Sequence, residues 1–185
     1  MKTALLTIDI QNDYFEKGTM PLVEAAQASN NARLILDKFR ADNLPIVHIQ
    51  HIATKPTATF FLPNTWGAEI HEAVKPWEGE KVIVKHTPNS FRETELLDYL
   101  VVQQITDIVI CGMMTHMCVD ATVRAAKDLG FQVIVIGDAC STKSLEILGE
   151  TVTADNVQKS FLAALNYFYS TVMTTQTYLE AYSKK

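Results

Sequence analysis

Ile108-Val109-Ile110-Cys111 is an unbroken apolar run of strand length that stops at Gly112. The residues that follow, Met113-Met114-Thr115-His116-Met117-Cys118-Val119-Asp120-Ala121-Thr122, open into a helical pattern that runs to Leu129 and ends at Gly130. A strand without polar alternation is covered on both faces, as parallel strands are between two helix layers. Val133-Ile134-Val135-Ile136 is a second such run directly after the glycine. Strand, helix and strand in that order make a right-handed crossover, and ligands in such sheets bind beyond the carboxyl ends of the strands. Cys118 lies just past one of those ends.

The same alternation extends along the chain. Thr3 to Asp9 is a short apolar run followed by polar Gln11-Asn12-Asp13 and the turn residues Gly18-Thr19-Met20-Pro21. From Ala28, apolar Ala32, Ile35, Leu36 and Phe39 recur at helical spacing until Asn43-Leu44-Pro45 ends the pattern. Ile46 to Ile52 and Val82 to Lys85 read as strands two and three, and Leu96, Leu97, Leu100 and Val101 as one face of a second helix. After Asp138 to Ser141 the pattern is ill defined. Val157, Phe161, Leu165 and Phe168 then mark a last helix, with 171–174 as an edge strand. The expected fold is α/β: a mostly parallel sheet with helices on both faces.

At 185 residues, with no linker, repeat or low-complexity tract, the chain reads as a single domain spanning 1–185. A net charge of -5 gives no electrostatic reason for a nucleic acid or anionic membrane partner. No apolar stretch approaches a membrane span, and Met1-Lys2-Thr3 leads into a strand without a signal-peptide core, so a cytoplasmic protein is expected. The three cysteines, 111, 118 and 140, are odd in number and form no Cys-x-x-Cys pair, which suits a reducing compartment. Neither a Gly-x-Gly-x-x-Gly nor a Walker A loop is present, so no cofactor is expected, and a nucleotide-binding role is disfavoured.

Three reactive groups fall at the ends of three strands: Asp9, Lys85 and Cys118. Parallel strands point the same way, so one sheet edge should carry a carboxylate, an ammonium and a thiol. With Thr115 as N-cap, Cys118 is the third helical residue, where the helix dipole and free N–H groups favour an anion. Lowering its pKa by two units takes about 2.7 kcal/mol, within reach of a helix end plus one lysine. Asp9 would accept the thiol proton and return it to a leaving amine, and the backbone amides of 112–117 would hold an oxyanion. The chemistry expected is acyl transfer.

Four segments together carry a family resemblance: Leu6-Thr7-Ile8-Asp9-Ile10-Gln11-Asn12-Asp13, Thr65-Trp66-Gly67-Ala68-Glu69-Ile70, Lys85 with Asn89-Ser90-Phe91, and Gly112, Thr115, Cys118-Val119 and Thr122. In order and spacing the chain resembles the isochorismatase-like cysteine hydrolases. The resemblance implies a six-stranded parallel sheet in a three-layer α/β/α, Rossmann-like fold. It also implies an Asp-Lys-Cys triad at Asp9, Lys85 and Cys118, and a cis peptide at Met113-Met114 that helps form the oxyanion hole. Members hydrolyse amide or ureido C–N bonds of small molecules through a thioester, usually as homo-oligomers, dimers or tetramers. Nicotinamidases carry an Asp-x-His metal motif after strand two; here that region reads His48-Ile49-Gln50-His51, and no metal is expected. True isochorismatases cleave a vinyl ether without the cysteine, so Cys118 points away from that reaction.

The remaining candidates are walls of a pocket. His48 and His51 alternate on a regular strand and point to opposite faces, so they do not chelate one ion together. His51, near the strand end, and Thr115 are assigned to the substrate pocket, and His48 to the core or surface. Phe60, Phe61 and Trp66, on a long connection near the ligand edge, suit a lid over a planar or apolar substrate. Two alternatives stand beside this reading: nicotinamidase activity, and a thiol redox protein in which Cys118 is oxidised without hydrolysis.

Overall fold

The structure is a computed structural model that describes residues 2–182. Six strands form one sheet in the order β3-β2-β1-β4-β5-β8, with every neighbouring pair parallel. They are β1 (Thr3–Ile8), β2 (Ile46–His51), β3 (Lys81–Lys85), β4 (Asp107–Met113), β5 (Gln132–Ser141) and β8 (Thr171–Met173). The helices are α1 (Ala25–Ala41), α2 (Leu96–Val102), α3 (Asp120–Asp128), α4 (Ala154–Phe168) and α5 (Thr175–Tyr182). A small antiparallel hairpin, β6 (Leu145–Ile147) with β7 (Glu150–Val152), stands outside the sheet.

Side chains of a strand alternate between faces, and the two apolar layers follow from that alternation. Leu6, Ile8, Val47, Ile108 and Ile110 pack under α2, α3 and α4 through Leu96, Leu100, Val123 and Leu165. Leu5, Ile46 and Val109 pack on the opposite side under α1 through Ala32, Ile35, Leu36 and Phe39, and under α5 through Tyr178. This is the three-layer architecture expected from the solid Val/Ile runs.

Chain order places the site. The strands run outward from β1 to β2 and β3, then the chain returns to lay β4 on the other side of β1. The switch point therefore lies between β1 and β4, where Ile8 pairs with Gly112. Asp9 leaves β1 on one side of that crevice and the Met113 to Cys118 turn leaves β4 on the other. On the neighbouring strands, His51 and Lys85 are paired in register at the same edge. Gly112 makes the close approach possible: its φ is +144°, and a Cβ there would sit 2.1 Å from the Ile8 carbonyl oxygen.

Several boundaries differ from the sequence reading. The first helix starts at Ala25, three residues early, because Ala25 and Ala28 both bury under the Tyr14 loop. Strand β5 continues to Ser141, carrying Asp138 to Ser141 into the sheet with a register shift beside Gly112. Val101 lies 62% exposed; only Leu96 and Leu100 of α2 reach the core. Phe168, expected on the buried face of the last helix, is 65% exposed. The β6–β7 hairpin and α5 carry too little periodicity to be read from sequence. Among the described residues, no helix is long and apolar enough to cross a membrane.

Candidate active site

Asp9, Lys85 and Cys118 converge. Asp9 and Lys85 are fully buried, and the Lys85 Nζ lies 2.7 Å from Asp9 Oδ2. Cys118 is 5% exposed, and its Sγ, an Asp9 carboxylate oxygen and a His51 ring nitrogen all lie within 4.8 Å of one another. Lys85 also donates to His51 Nδ1 at 3.1 Å and to the Thr87 carbonyl at 3.0 Å. Neither carboxylate oxygen of Asp9 receives a well-directed hydrogen bond among the described residues. A buried carboxylate held only by an ion pair retains a lone pair for a proton.

Asp9 takes a left-handed backbone conformation, φ 50°, which turns the chain out of β1. Aspartate tolerates this region better than bulky residues do. Its N–H remains tied to the Ile49 carbonyl, so the side chain is set by the sheet itself. The Met113-Met114 peptide is cis, as the resemblance implied.

The turn after β4 differs from the expected helix start. Thr115–Val119 is one turn of π-helix capped by Met114, and regular α-helix begins only at Asp120. Such turns commonly occur at functional sites. Thr115 is not the N-cap, and its hydroxyl donates to the Ser141 carbonyl at 3.1 Å. That hydroxyl braces the turn against β5, so the assignment of Thr115 as a substrate contact is corrected to a support.

The electrostatics also correct the picture of a resting thiolate. Burial pushes the Cys118 thiol up, and the Asp9 carboxylate adds to it; Lys85 pulls the other way and does not win. For Lys85, burial works against the charge, but Asp9 and then Cys118 outweigh it and keep the ammonium firmly protonated. The resting site is therefore a neutral thiol beside a carboxylate–ammonium pair. A helix end and one lysine favour the thiolate, but the cost of desolvating it is larger.

His51 sits between this site and a cavity of about 350 Å³ that it lines together with Phe60, His86 and Pro88. Burial first, then the Lys85 ammonium, lower its pKa to about 4. Because Nδ1 accepts from Lys85, the neutral ring carries its hydrogen on Nε2. The folded-state value lies below the unfolded one near 6.5, so the unfolded chain takes up this proton first. The resulting stability is complete above pH 6.5 and declines as pH falls towards 4. His48, lowered by burial, and Glu80, held at about 2, act in the same direction, Glu80 at lower pH. Urea midpoints are therefore expected to fall from pH 6.5 to 4, and His51→Gln is expected to flatten that slope. An unchanged slope in the variant would remove His51 as a contributor.

The three expected lid aromatics have three different fates. Phe60 lines the cavity. Phe61 is buried, packed edge-on against Tyr14 at 4.7 Å, and belongs to the core. Trp66 is 52% exposed and does not line that cavity, so it is withdrawn as a substrate contact. His48 is fully buried, bonded to Thr7 Oγ1 and Glu80 Oε2, and is structural.

Sequence reading missed a second set of residues. Gln11 accepts from the His51 N–H at 2.8 Å while its amide donates to the His51 and Ala68 carbonyls at 2.9 and 2.7 Å. Asn12 donates to the Trp66 carbonyl. Asp13 accepts from the Phe61 N–H and from the N–H and hydroxyl of Thr19. Gly67 packs directly over the Asp13 carboxylate, where a Cβ would lie 2.1 Å from Oδ1. Three consecutive buried polar side chains thus clamp the 53–70 connection to the site. The signal was available: Gln11-Asn12-Asp13 directly after a strand, a polar run with nothing else to explain it. Tyr14, also buried, has its phenol pKa raised by burial and then by Cys118 and Asp9, which makes it a neighbour of the thiol.

Asp9, His51 and Cys118 together offer three ligand atoms at a spacing that would suit a metal ion. Lys85, however, already supplies a positive charge to two of them, and a metal bound there would meet that ammonium at close range.

Comparison with known proteins agrees with this fold. Residues 3–177 match the isochorismatase domain model. The chain is 50% identical to the isochorismatase family protein YddQ of Bacillus subtilis, over 97% of this chain and all of that one. It is 33% identical to a streptothricin hydrolase of Streptomyces noursei over 75% of this chain and 49% of that protein. A crystal structure of an isochorismatase hydrolase from Oleispira antarctica superposes with a TM-score of 0.93 at 45% identity, covering 97% and 96% of the two chains. The chain belongs to the isochorismatase family of hydrolases.

Proposed function

We propose that the chain is a cysteine-dependent amidohydrolase that cleaves an amide or ureido C–N bond of a small molecule. The observation that carries this reading is a fully buried carboxylate, paired with an ammonium and otherwise unpartnered, within 4.8 Å of a cysteine sulfur. As Cys118 Sγ attacks the carbonyl carbon, its proton passes to Asp9. The thiolate therefore forms only with the new C–S bond, which fits a thiol whose resting pKa is raised. Asp9 then gives the proton to the leaving amine as the C–N bond breaks. Water, losing a proton to Asp9, cleaves the thioester and restores the thiol.

Lys85, 2.7 Å from Asp9, holds that carboxylate in place beside the sulfur, and backbone amides at Met114 and Cys118 bind the oxyanion. Redox signalling through Cys118 is disfavoured, because sensor thiols are exposed and of low pKa whereas this one is neither. All three cysteines are free, which supports work in a reducing compartment such as the cytoplasm. Leu148 and Tyr167 are almost fully exposed, which supports assembly as a homo-oligomer.

The test is a panel of small primary amides, ureido acids and nicotinamide with ammonia release as readout, alongside mass spectrometry of the acid-quenched protein. Turnover with an acyl adduct on Cys118 is the expected result. Turnover with no adduct on this residue under any quench would overturn the covalent mechanism.

A further inference from the structure

Tyr14 closes the single 3-10 turn Asn12–Tyr14 and is 1% exposed, its ring set edge-on to Phe61 at 4.7 Å and tilted against Phe60 at 6.0 Å. The ring shares one apolar cluster with Met113 and Met114. Phe60 and Phe61 join that cluster without a polar atom, whereas Tyr14 carries a hydroxyl into it. Among the described residues this hydroxyl makes no hydrogen bond, yet it is not sealed: the fully enclosed unpartnered atoms belong to Asp9, Gln158 and Ser170. A buried phenol normally finds a partner, because taking an unpaired hydroxyl out of water is costly. Phenylalanine would pack here without that cost.

What the oxygen faces is the reacting pair. After burial, Cys118 and then Asp9 are the groups that raise the Tyr14 phenol, followed by Asp13. Two polar groups that face one centre without bonding to each other are the setting in which a single water bridges. We infer that the Tyr14 hydroxyl, together with the Asp9 carboxylate, holds the water that cleaves the thioester. The inference rests on the thioester reading and concerns its second half alone. The water donates one hydrogen to Asp9 and the other to Tyr14 Oη, which leaves its lone pairs free for the carbonyl carbon bound to Cys118 Sγ. As the new C–O bond forms, the first proton passes to Asp9; the C–S bond then breaks and that proton returns to the sulfur. The acid departs with the second hydrogen. Tyr14 keeps its own proton, since burial opposes a phenolate there. Acylation uses no water, so Tyr14 is a catalytic residue of deacylation only.

The test is Tyr14→Phe, which removes the oxygen and keeps the ring. With no protein hydrogen bond lost, its urea midpoint is expected to match or exceed that of the wild type. Stopped-flow with p-nitrophenyl acetate separates the two half-reactions: the burst of p-nitrophenolate reports formation of acetyl-Cys118, and the slow phase reports its hydrolysis. Equal bursts are expected for the two proteins, with a slow phase about tenfold slower in Tyr14→Phe, the scale of one hydrogen bond. Acetyl-Cys118 should accumulate accordingly in acid-quenched mass spectra. Hydroxylamine, which attacks the thioester without that bridge, should bring both proteins to the same rate. Equal slow phases, or a burst slowed as much as the slow phase, would overturn the role of Tyr14 and leave the thioester mechanism standing. Absence of acetyl-Cys118 in the wild type would overturn the thioester reading itself, and this inference with it.

Discussion

Alanine in place of Cys118 is expected to reduce amide turnover by on the order of 10^4-fold or more, because no other group in the site can form the covalent intermediate. The fold should tolerate the change: one buried sulfur is lost from a packed layer that also holds Val119 and Val123. Retained near-ultraviolet circular dichroism with lost ammonia release is the predicted pair of observations. Serine at the same position separates nucleophile from shape. A hydroxyl is far less acidic than a thiol, and the site already opposes the anion by burial, so Cys118→Ser should be nearly as inactive as alanine. Substantial turnover by either variant would show that the sulfur is not the attacking atom.

Lys85→Met is expected to be the most damaging single change to stability, about 3–5 kcal/mol by urea denaturation at neutral pH. Methionine fills much of the same volume but leaves the Asp9 carboxylate buried without its counter-ion. The double variant Asp9→Asn, Lys85→Met removes both charges and should recover most of that loss without recovering activity. A double variant no more stable than Lys85→Met alone would mean that the ion pair is not the reason for the loss. The pair of measurements thus distinguishes the charge balance of the site from its catalytic use.

The parts of the fold legible in sequence were those with one dominant cause. Ile108 to Cys111 and Val133 to Ile136 could be read because a strand covered on both faces leaves no polar residue in the run. Asp9, Lys85 and Cys118 could be paired in advance because parallel strands bring their carboxyl ends to one edge. Where two effects compete, the sequence carried less. The state of the Cys118 thiol depends on desolvation against two opposite charges at distances only coordinates supply. Trp66 and Phe61 are similar aromatics five positions apart, yet one is exposed and the other is buried against Tyr14, a contact only the folded loop supplies. Thr115 was misassigned because a π-turn and an α-turn share the same residue pattern up to the point where a single hydrogen bond shifts.

The Gln11 clamp has a consequence for how such an enzyme changes its diet. By gripping the peptide groups on both sides of His51, it anchors the reactive floor through main-chain atoms that every amino acid possesses. The stretch from Thr54 to Thr59 hangs from that fixed point like an exchangeable fitting, with nearly all its side chains turned to solvent while Ala53 and Phe60 at its two ends pack on the core. On the proposed reading, those six positions can be rewritten without moving Asp9, Lys85 or Cys118.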